Sequence, residues 1–197
     1  MGHQQGTLAV TDIELGWLAG IVDGEGTIAF SPYPLRYRGK VINELRIKPQ
    51  VIVTNTDKIL IERVAELFGR CNVGAHFQTR TQHGHSFPGN KPTKYRPLHV
   101  VNISGFKRVK RALELIGPHL VSKKAKSDLV LRYIVQRELK LSSACNAPLD
   151  VHDYRLILVI MRYSYENSVK GAKSKHFAWI EGLLNEHEQR GRKRKAA

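Results

Sequence analysis

The segment Trp17-Leu18-Ala19-Gly20-Ile21-Val22-Asp23-Gly24-Glu25-Gly26-Thr27-Ile28 constrains this chain more than any other, because it joins a helix to a strand and ends the helix in two acids. The helix has a clear start. Thr11 and Glu14 stand at capping-box spacing, and Asp12 adds negative charge in the first turn, where it suits the helix dipole. The apolar residues do not make one stripe: Leu15, Leu18, Ala19 and Val22 fall on one face, Ile13, Trp17, Gly20 and Ile21 on another. Such a helix is expected to be covered on two sides. Gly16, Gly20 and Gly24 recur every fourth residue, and an interior glycine destabilises a helix by about 1 kcal/mol against alanine. Close approach of a second backbone, most simply another helix, is the expected compensation.

At the far end, Asp23 and Glu25 sit beside the negative pole of the helix, where a carboxylate is disfavoured by about 0.3–1 kcal/mol. A bound cation reverses that sign. Glycines on both sides of Glu25 leave backbone carbonyls open, and hard cations such as Mg2+ take carboxylate, carbonyl and water oxygens together. The competing explanation is a buried helix whose acids only solvate its end. These residue types alone leave both open.

Leu18-Ala19-Gly20-Ile21-Val22-Asp23-Gly24-Glu25-Gly26 resembles the signature motif of the LAGLIDADG homing endonucleases, with the hydrophobic, small and acidic classes in register and with Trp17 and Thr27-Ile28 as flanks. The resemblance implies paired motif helices and a last acid that binds divalent metal at the scissile phosphate. That acid is Glu25, where the family more often has Asp, with the Gly24 carbonyl as a second ligand. The implied cofactor is Mg2+, with Mn2+ as a substitute. Ser122-Lys123-Lys124-Ala125-Lys126-Ser127-Asp128-Leu129 resembles the stretch from which a family lysine reaches the active site, and Lys123 matches it. A lysine cluster facing backbone phosphates is the alternative. Asn55, at the end of the second expected strand, matches a polar family position that orders water near the metals. The resemblance covers residues 12–140.

Charge points the same way. The chain has 197 residues, with 32 Lys+Arg against 17 Asp+Glu, a net charge of +15 and a pI near 10.0. That balance implies a polyanionic partner. An anionic membrane surface competes, but neither a long apolar run nor a secretory leader is evident. Cys71 and Cys145 fit neither a disulfide framework nor a zinc site and suggest reduced thiols in an intracellular protein, in the cytoplasm of a prokaryote or an organellar matrix. His83-Gly84-His85 suits a solvated loop better than a metal site, because no further Cys/His pair accompanies it.

After the motif, Ile28 and Phe30 alternate with Thr27, Ala29 and Ser31 as a half-buried strand that Pro32 and Pro34 end or bend. From Glu44 to Asn55, Leu45, Ile47, Val51 and Val53 oppose Arg46, Lys48 and Gln50; Pro49 predicts an edge position or a bulge. Arg36, Arg38 and Lys40 are expected in the intervening loop. A helix follows, capped by Thr56, with Leu60, Val64, Leu67 and Phe68 as its stripe and Gly69 as its stop. Val73, Ala75 and Phe77 alternate with His76, Gln78 and Arg80 as a third strand. Residues 81–93 are turn-rich, Lys94 to Ser104 supplies a fourth strand, and Phe106 to Ile116 is helical up to Gly117-Pro118. The fold class is therefore α+β. The order αββαββα matches what the resemblance implies: a four-stranded antiparallel saddle for DNA.

A sheet face rich in Arg, Lys and Gln suits base edges and phosphates in a major groove, against the alternative of a merely solvated face. The residues assigned to DNA are Ser31, Tyr33, Arg36, Arg38, Arg46, Lys48, Gln50, Gln78 and Arg80. The expected organisation is an endonuclease core at 1–141, a helical extension of the same domain at 142–189 with helices near Asp153 to Glu166 and Lys175 to Gln189, and a disordered basic tail at 190–197. Ile180-Glu181-Gly182-Leu183-Leu184-Asn185-Glu186 is not expected to be a second motif, because it is polar at the wrong place and only 11 residues follow it here. Single-motif members of the family act as homodimers, so a C2 dimer along Gly16, Gly20 and Gly24 is expected. The resemblance thus implies an intron-encoded, Mg2+-dependent endonuclease that cuts double-stranded DNA at a long near-palindromic site. An RNA-binding intron maturase, with intron RNA as partner, and a non-cleaving DNA-binding regulator are the alternatives on the same fold.

Overall fold

In the computed structural model, the described residues are 9–38, 40–80, 96–140, 148–166 and 176–196, with backbone alone at 36–37, 40–44 and 191–196. His83, His85, Cys145 and the turn-rich span 81–93 lie outside them. The elements run α1 (Asp12–Glu25), β1 (Gly26–Tyr37), β2 (Lys40–Asn55), α2 (Lys58–Arg70), β3 (His76–Arg80), β4 (Leu98–Ser104) and α3 (Phe106–Ile116). A 3-10 turn (Gly117–His119) then leads to α4 (Lys124–Lys140), α5 (Val151–Glu166) and α6 (Phe177–Ala196). The strands form one four-stranded sheet in the order β1-β2-β4-β3. This is the expected α+β, αββαββα arrangement.

The proline rules explain where strand boundaries depart from expectation. β1 passes through Pro32 and Pro34 to Tyr37, because it is an edge strand and both prolines have the same parity. Their missing N–H groups therefore fall on one side of the strand, and an edge strand has one side without a ladder to lose. The loop expected at 36–40 shrinks accordingly: Arg36 belongs to β1, Lys40 to β2, and Arg38 turns the chain in the left-handed region at φ 47°. β2 is an inner strand, contrary to the edge position suggested by Pro49. Its pairing with β4 starts only at Gln50, opposite Ser104, so Pro49 lies just past the end of that ladder.

The chain divides into two compact units. One comprises Met1–Ala29 and Gln50–Lys124, the other Phe30–Pro49 and Ala125–Ala197. In the first, antiparallel pairing sets Val51 opposite Ile103 and Val53 opposite Val101, and these residues are fully or almost fully buried. α2 and α3 pack on β4, and α1 packs on α2, α3 and the 3-10 turn. α2 is capped by Asp57, one residue past the expected Thr56, with the Leu60 N–H donating to Asp57 Oδ1 at 3.2 Å. It passes through Gly69 to Arg70, and Asn72 at φ 54° makes the left-handed exit. A capping box between Thr11 and Glu14 opens α1 as expected, and Arg63 and Arg70 bind Glu14 at 2.7 and 2.6 Å.

In the second unit Phe30 meets Tyr133 edge-on at 4.9 Å, and the α4 residue Arg137 pairs with Asp153 of α5 at 2.8 Å. Both ends of that ion pair are buried, and Gln136 and Lys140 also reach Asp153. α5 packs on α6. The stretch expected as a disordered tail is the end of α6, which continues to Ala196. Its Arg, Lys, Gln and Ala residues are strong helix formers.

Candidate active site and nucleic-acid face

The carboxyl end of α1 is where the candidate catalytic residues gather. Gly26 makes the junction possible: a Cβ there would lie 2.6 Å from the Val22 carbonyl oxygen and 2.8 Å from its Cα. With no side chain, Gly26 donates its N–H to Val22 O and turns straight into β1. Glu25 is left as the last, exposed residue of α1. Among the described residues its carboxylate has no hydrogen bond or ion pair.

Asp23 is placed differently from the sequence expectation. Its carboxylate does not await a cation; it accepts the N–H groups of Val121 at 2.6 Å, Ser122 at 3.3 Å and Lys123 at 2.9 Å, and the Ser122 hydroxyl at 3.0 Å. Burial alone would raise this carboxyl, but the Val121 and Lys123 amides and the Ser122 donors outweigh it and hold the pKa below the ordinary 3.8. Asp23 thereby fixes the turn that leads into α4. Lys123 Nζ donates in return to the Asp23 main-chain oxygen. An ammonium therefore occupies the negative pole of α1, where cations are favoured. The structure brings Lys123 to the segment that carries Glu25 across 100 residues of sequence. Asn55 ends β2, where its side-chain oxygen accepts the Asp57 N–H at 2.9 Å and shapes the entry to α2.

The donor set fits a hard cation only in part. No group of three or more His, Cys, Asp or Glu residues assembles among the described residues. A single chain offers the Glu25 carboxylate and the Gly24 carbonyl, both oxygen, while the Asp23 carbonyl is taken by Lys123. Mg2+ is suited to such a site, because it keeps several waters and completes its shell with substrate phosphates and one or two carboxylates.

Among the described residues, nothing covers the other face of α1. Ile13 is 85% and Trp17 40% exposed, and a Cβ on Gly16, Gly20 or Gly24 would meet nothing within 4 Å. Of the two faces expected to be covered, the single chain itself buries one: Leu18, Ala19 and Val22 are fully buried.

The polar sheet face follows from strand register. In the first unit Gln50 opposes Ser104, Ile52 opposes Asn102, and β3 sets Gln78 opposite Val100 and Arg80 opposite Leu98. All of these point away from the side that α2 and α3 cover. Gln50 Nε2 donates to Asn102 Oδ1 at 3.1 Å. The Gln78 amide, turned with its oxygen toward Arg80, accepts from Arg80 Nε at 3.0 Å. In the second unit Ser31 and Tyr33 are exposed on β1, Arg38 is exposed at the hairpin tip, Arg46 is half-buried and Lys48 exposed on β2. The side chain of Arg36 lies outside the described ones. Sequence reasoning missed Asp23's role and Asn102. The signal for Asn102 was the alternation Leu98, Val100, Asn102, Ser104, the same parity that singled out Gln50 on β2.

Among the described residues, no helix is long and apolar enough to cross a membrane. No family model and no curated protein matches the sequence. Solved structures do. The archaeal intron-encoded homing endonuclease I-Vdi141I, complexed with DNA, aligns with a TM-score of 0.61 at 14% identity over 90% of this chain and 98% of its own. The homing endonuclease I-CvuI, in complex with its target in the presence of Ca, aligns with a TM-score of 0.58 at 14% identity, covering 89% and 95%. The group I intron-encoded homing endonuclease I-CeuI, complexed with DNA, aligns with a TM-score of 0.53 at 17% identity, covering 90% and 77%. The chain has the fold of the LAGLIDADG homing endonucleases.

Proposed function

We propose that this chain, which has the LAGLIDADG homing-endonuclease fold, is a site-specific DNA endonuclease that acts as a homodimer with Mg2+, or Mn2+ in its place. The observation that carries the reading is the pairing at the end of α1: an exposed Glu25 without a partner among the described residues, and a Lys123 tied to the neighbouring Asp23 carbonyl. Folding alone does not ask for that combination. The DNA-bound state of its structural neighbours and the net charge of +15 support the same substrate.

Glu25 and the Gly24 carbonyl would hold the cation, with the remaining ligands from phosphate oxygens and water. When bound, the cation supplies Lewis acidity toward the scissile phosphate and lowers the pKa of an attacking water. Lys123 contributes positive charge where the phosphate becomes more negative, and acts without delay because its position is fixed beforehand. Asn55 spends its oxygen on Asp57 and keeps its amide N–H groups to order water. A second copy would cover Ile13, Trp17 and the glycine face of α1 and set two Glu25 side chains side by side, one for each DNA strand. Ser31, Tyr33, Arg36, Arg38, Arg46, Lys48, Gln50, Gln78 and Arg80 would face the DNA, the cations on phosphates and the amides on base edges.

The test is digestion of a duplex library with a randomised site, in Mg2+, by the wild type and by Glu25→Gln. Discrete sites should be cut on both strands by the wild type alone, while both proteins bind those sites with similar affinity. A wild type that cuts no sequence, or a Glu25→Gln variant that cuts at the same rate, removes the proposal.

A further inference from the structure

The polar face of the first unit contains a hydrogen bond that the proposed reaction does not need. Gln50 Nε2 donates to Asn102 Oδ1 at 3.1 Å. The register makes this a diagonal pair, since Gln50 opposes Ser104 and Ile52 opposes Asn102. Diagonal neighbours on one sheet face are far enough apart that only long side chains meet. Both side chains are half-buried, on the side of the sheet away from α2 and α3. An amide-to-amide bond here adds little to folding, because water would serve both groups nearly as well. Its consequence is to fix an otherwise mobile glutamine.

Fixing it also selects what it can bind. A glutamine amide has two N–H donors and one carbonyl oxygen. With one N–H committed to Asn102, what faces outward is one donor and one acceptor. In the major groove adenine presents an acceptor, N7, beside a donor, the N6 amino group; guanine presents two acceptors, N7 and O6. The constrained amide complements adenine at both atoms, whereas guanine would set O6 against the amide oxygen. Cytosine offers its amino donor and thymine its O4 acceptor, so each satisfies half of the amide.

We propose that Asn102 is a specificity-positioning residue: it holds Gln50 so that Gln50 reads adenine at one base pair of the target half-site. This rests on the reading of the chain as a DNA-binding protein, and a good bidentate pair of this kind discriminates by roughly 5- to 150-fold against the wrong base. Asn102 need not touch the base.

The experiment is selection of randomised duplexes by the full chain in Ca2+, followed by sequencing, for wild type, Gln50→Ala, Asn102→Leu and Asn102→Asp. In the wild type, one half-site position should prefer adenine, and Gln50→Ala should flatten that position alone. Asn102→Leu, of similar size but with no acceptor, should flatten the same position, and its melting temperature shows that it is folded; should it not fold, Asn102→Ala carries the same expectation. Asn102→Asp still accepts the Gln50 N–H, so adenine preference should survive while its added negative charge weakens binding to every sequence alike. A general loss of packing cannot produce that split between Leu and Asp. Adenine preference that persists in folded Asn102→Leu overturns the proposal, and so does a Gln50-dependent preference for guanine, which would mean that Gln50 accepts from Asn102. Selection of no sequence by the wild type would instead remove the DNA-binding reading beneath it.

Discussion

Replacing Asp23 by alanine separates the two explanations of the acids at the end of α1. The carboxylate accepts four hydrogen bonds, of which those from Val121 and Lys123 N–H are the shortest to backbone at 2.6 and 2.9 Å. Bonds to a charged group contribute about 1.5–3 kcal/mol each when protected and less where water can replace the lost partner. Asp23 is half-buried, so a total of about 3 kcal/mol is expected, close to two bonds at the weak end of that range. For a chain of this size, each 1 kcal/mol moves the melting temperature by about 2–4 °C, which gives a fall of roughly 6–12 °C by circular dichroism at pH 7. The sign of the pH dependence follows from the depressed pKa: the stabilisation is full above the unfolded value of 3.8 and fades as pH falls through the lower folded value. The gap between wild type and Asp23→Ala should therefore narrow below that pH. Because the turn carrying Lys123 loses its anchor, single-turnover cleavage, measured well below the melting temperature, should drop by about 100-fold, the usual effect of a small misplacement. DNA affinity in Ca2+ should stay near wild type. A variant that melts with wild type would refute the anchoring role, and one that melts lower yet cleaves normally would show that Lys123 needs no such anchor.

Three further outcomes follow from the same structure. Gly20→Leu adds a side chain where the single chain has open space, so the monomer should keep its melting temperature while sedimentation shows loss of the dimer and cleavage falls with it; an intact, cutting dimer would place the interface elsewhere. Glu14 is held from its ordinary 4.5 down to about 2, chiefly by its hydrogen bond with Arg70; Glu14→Gln should be less stable than wild type at neutral pH, with the difference shrinking from pH 4.5 downward and gone below about 2. Asp153→Ala leaves the 1% exposed Arg137 facing a lost carboxylate, a loss of about 3–5 kcal/mol for a buried pair; denaturant unfolding should show most of it restored in Arg137→Met/Asp153→Leu.

Much of the architecture was legible because local patterns and stop signals agreed. α3 runs from Phe106 to Ile116, as expected from its apolar period and the Gly117-Pro118 stop. Legibility failed where a neighbour decided the outcome. Pro32 and Pro34 look like strand breakers until β1 is known to be an edge, and Gly69 looks like a helix stop although the chain turns only at Asn72. Asp23 shows the limit most clearly. Its misfit with the helix dipole was visible, but the groups that resolve it are 98–100 residues away in the chain. Glu25 and Lys123 were found through the motif they resemble, whereas Asn102 needed the register of β2 against β4.

The misfits in α1 that folding leaves unresolved are themselves informative. Lys123 and the Val121–Lys123 amides answer the charge of Asp23, and the core answers Leu18, Ala19 and Val22. Glu25 and the exposed face of Ile13, Trp17, Gly20 and Gly24 have no such answer among the described residues. The two are not independent, because Gly24 ends the bare face and Glu25 follows it directly. Whatever covers the face must arrive beside the acid. On the proposed homodimer, the helix that covers the glycine face would also bring a second Glu25 beside the first, so closing the face and setting the two acids side by side would be one event. In that proposed assembly, cutting would wait on closure of the face, and the glycines that each weaken the helix by about 1 kcal/mol would have a reason to be there.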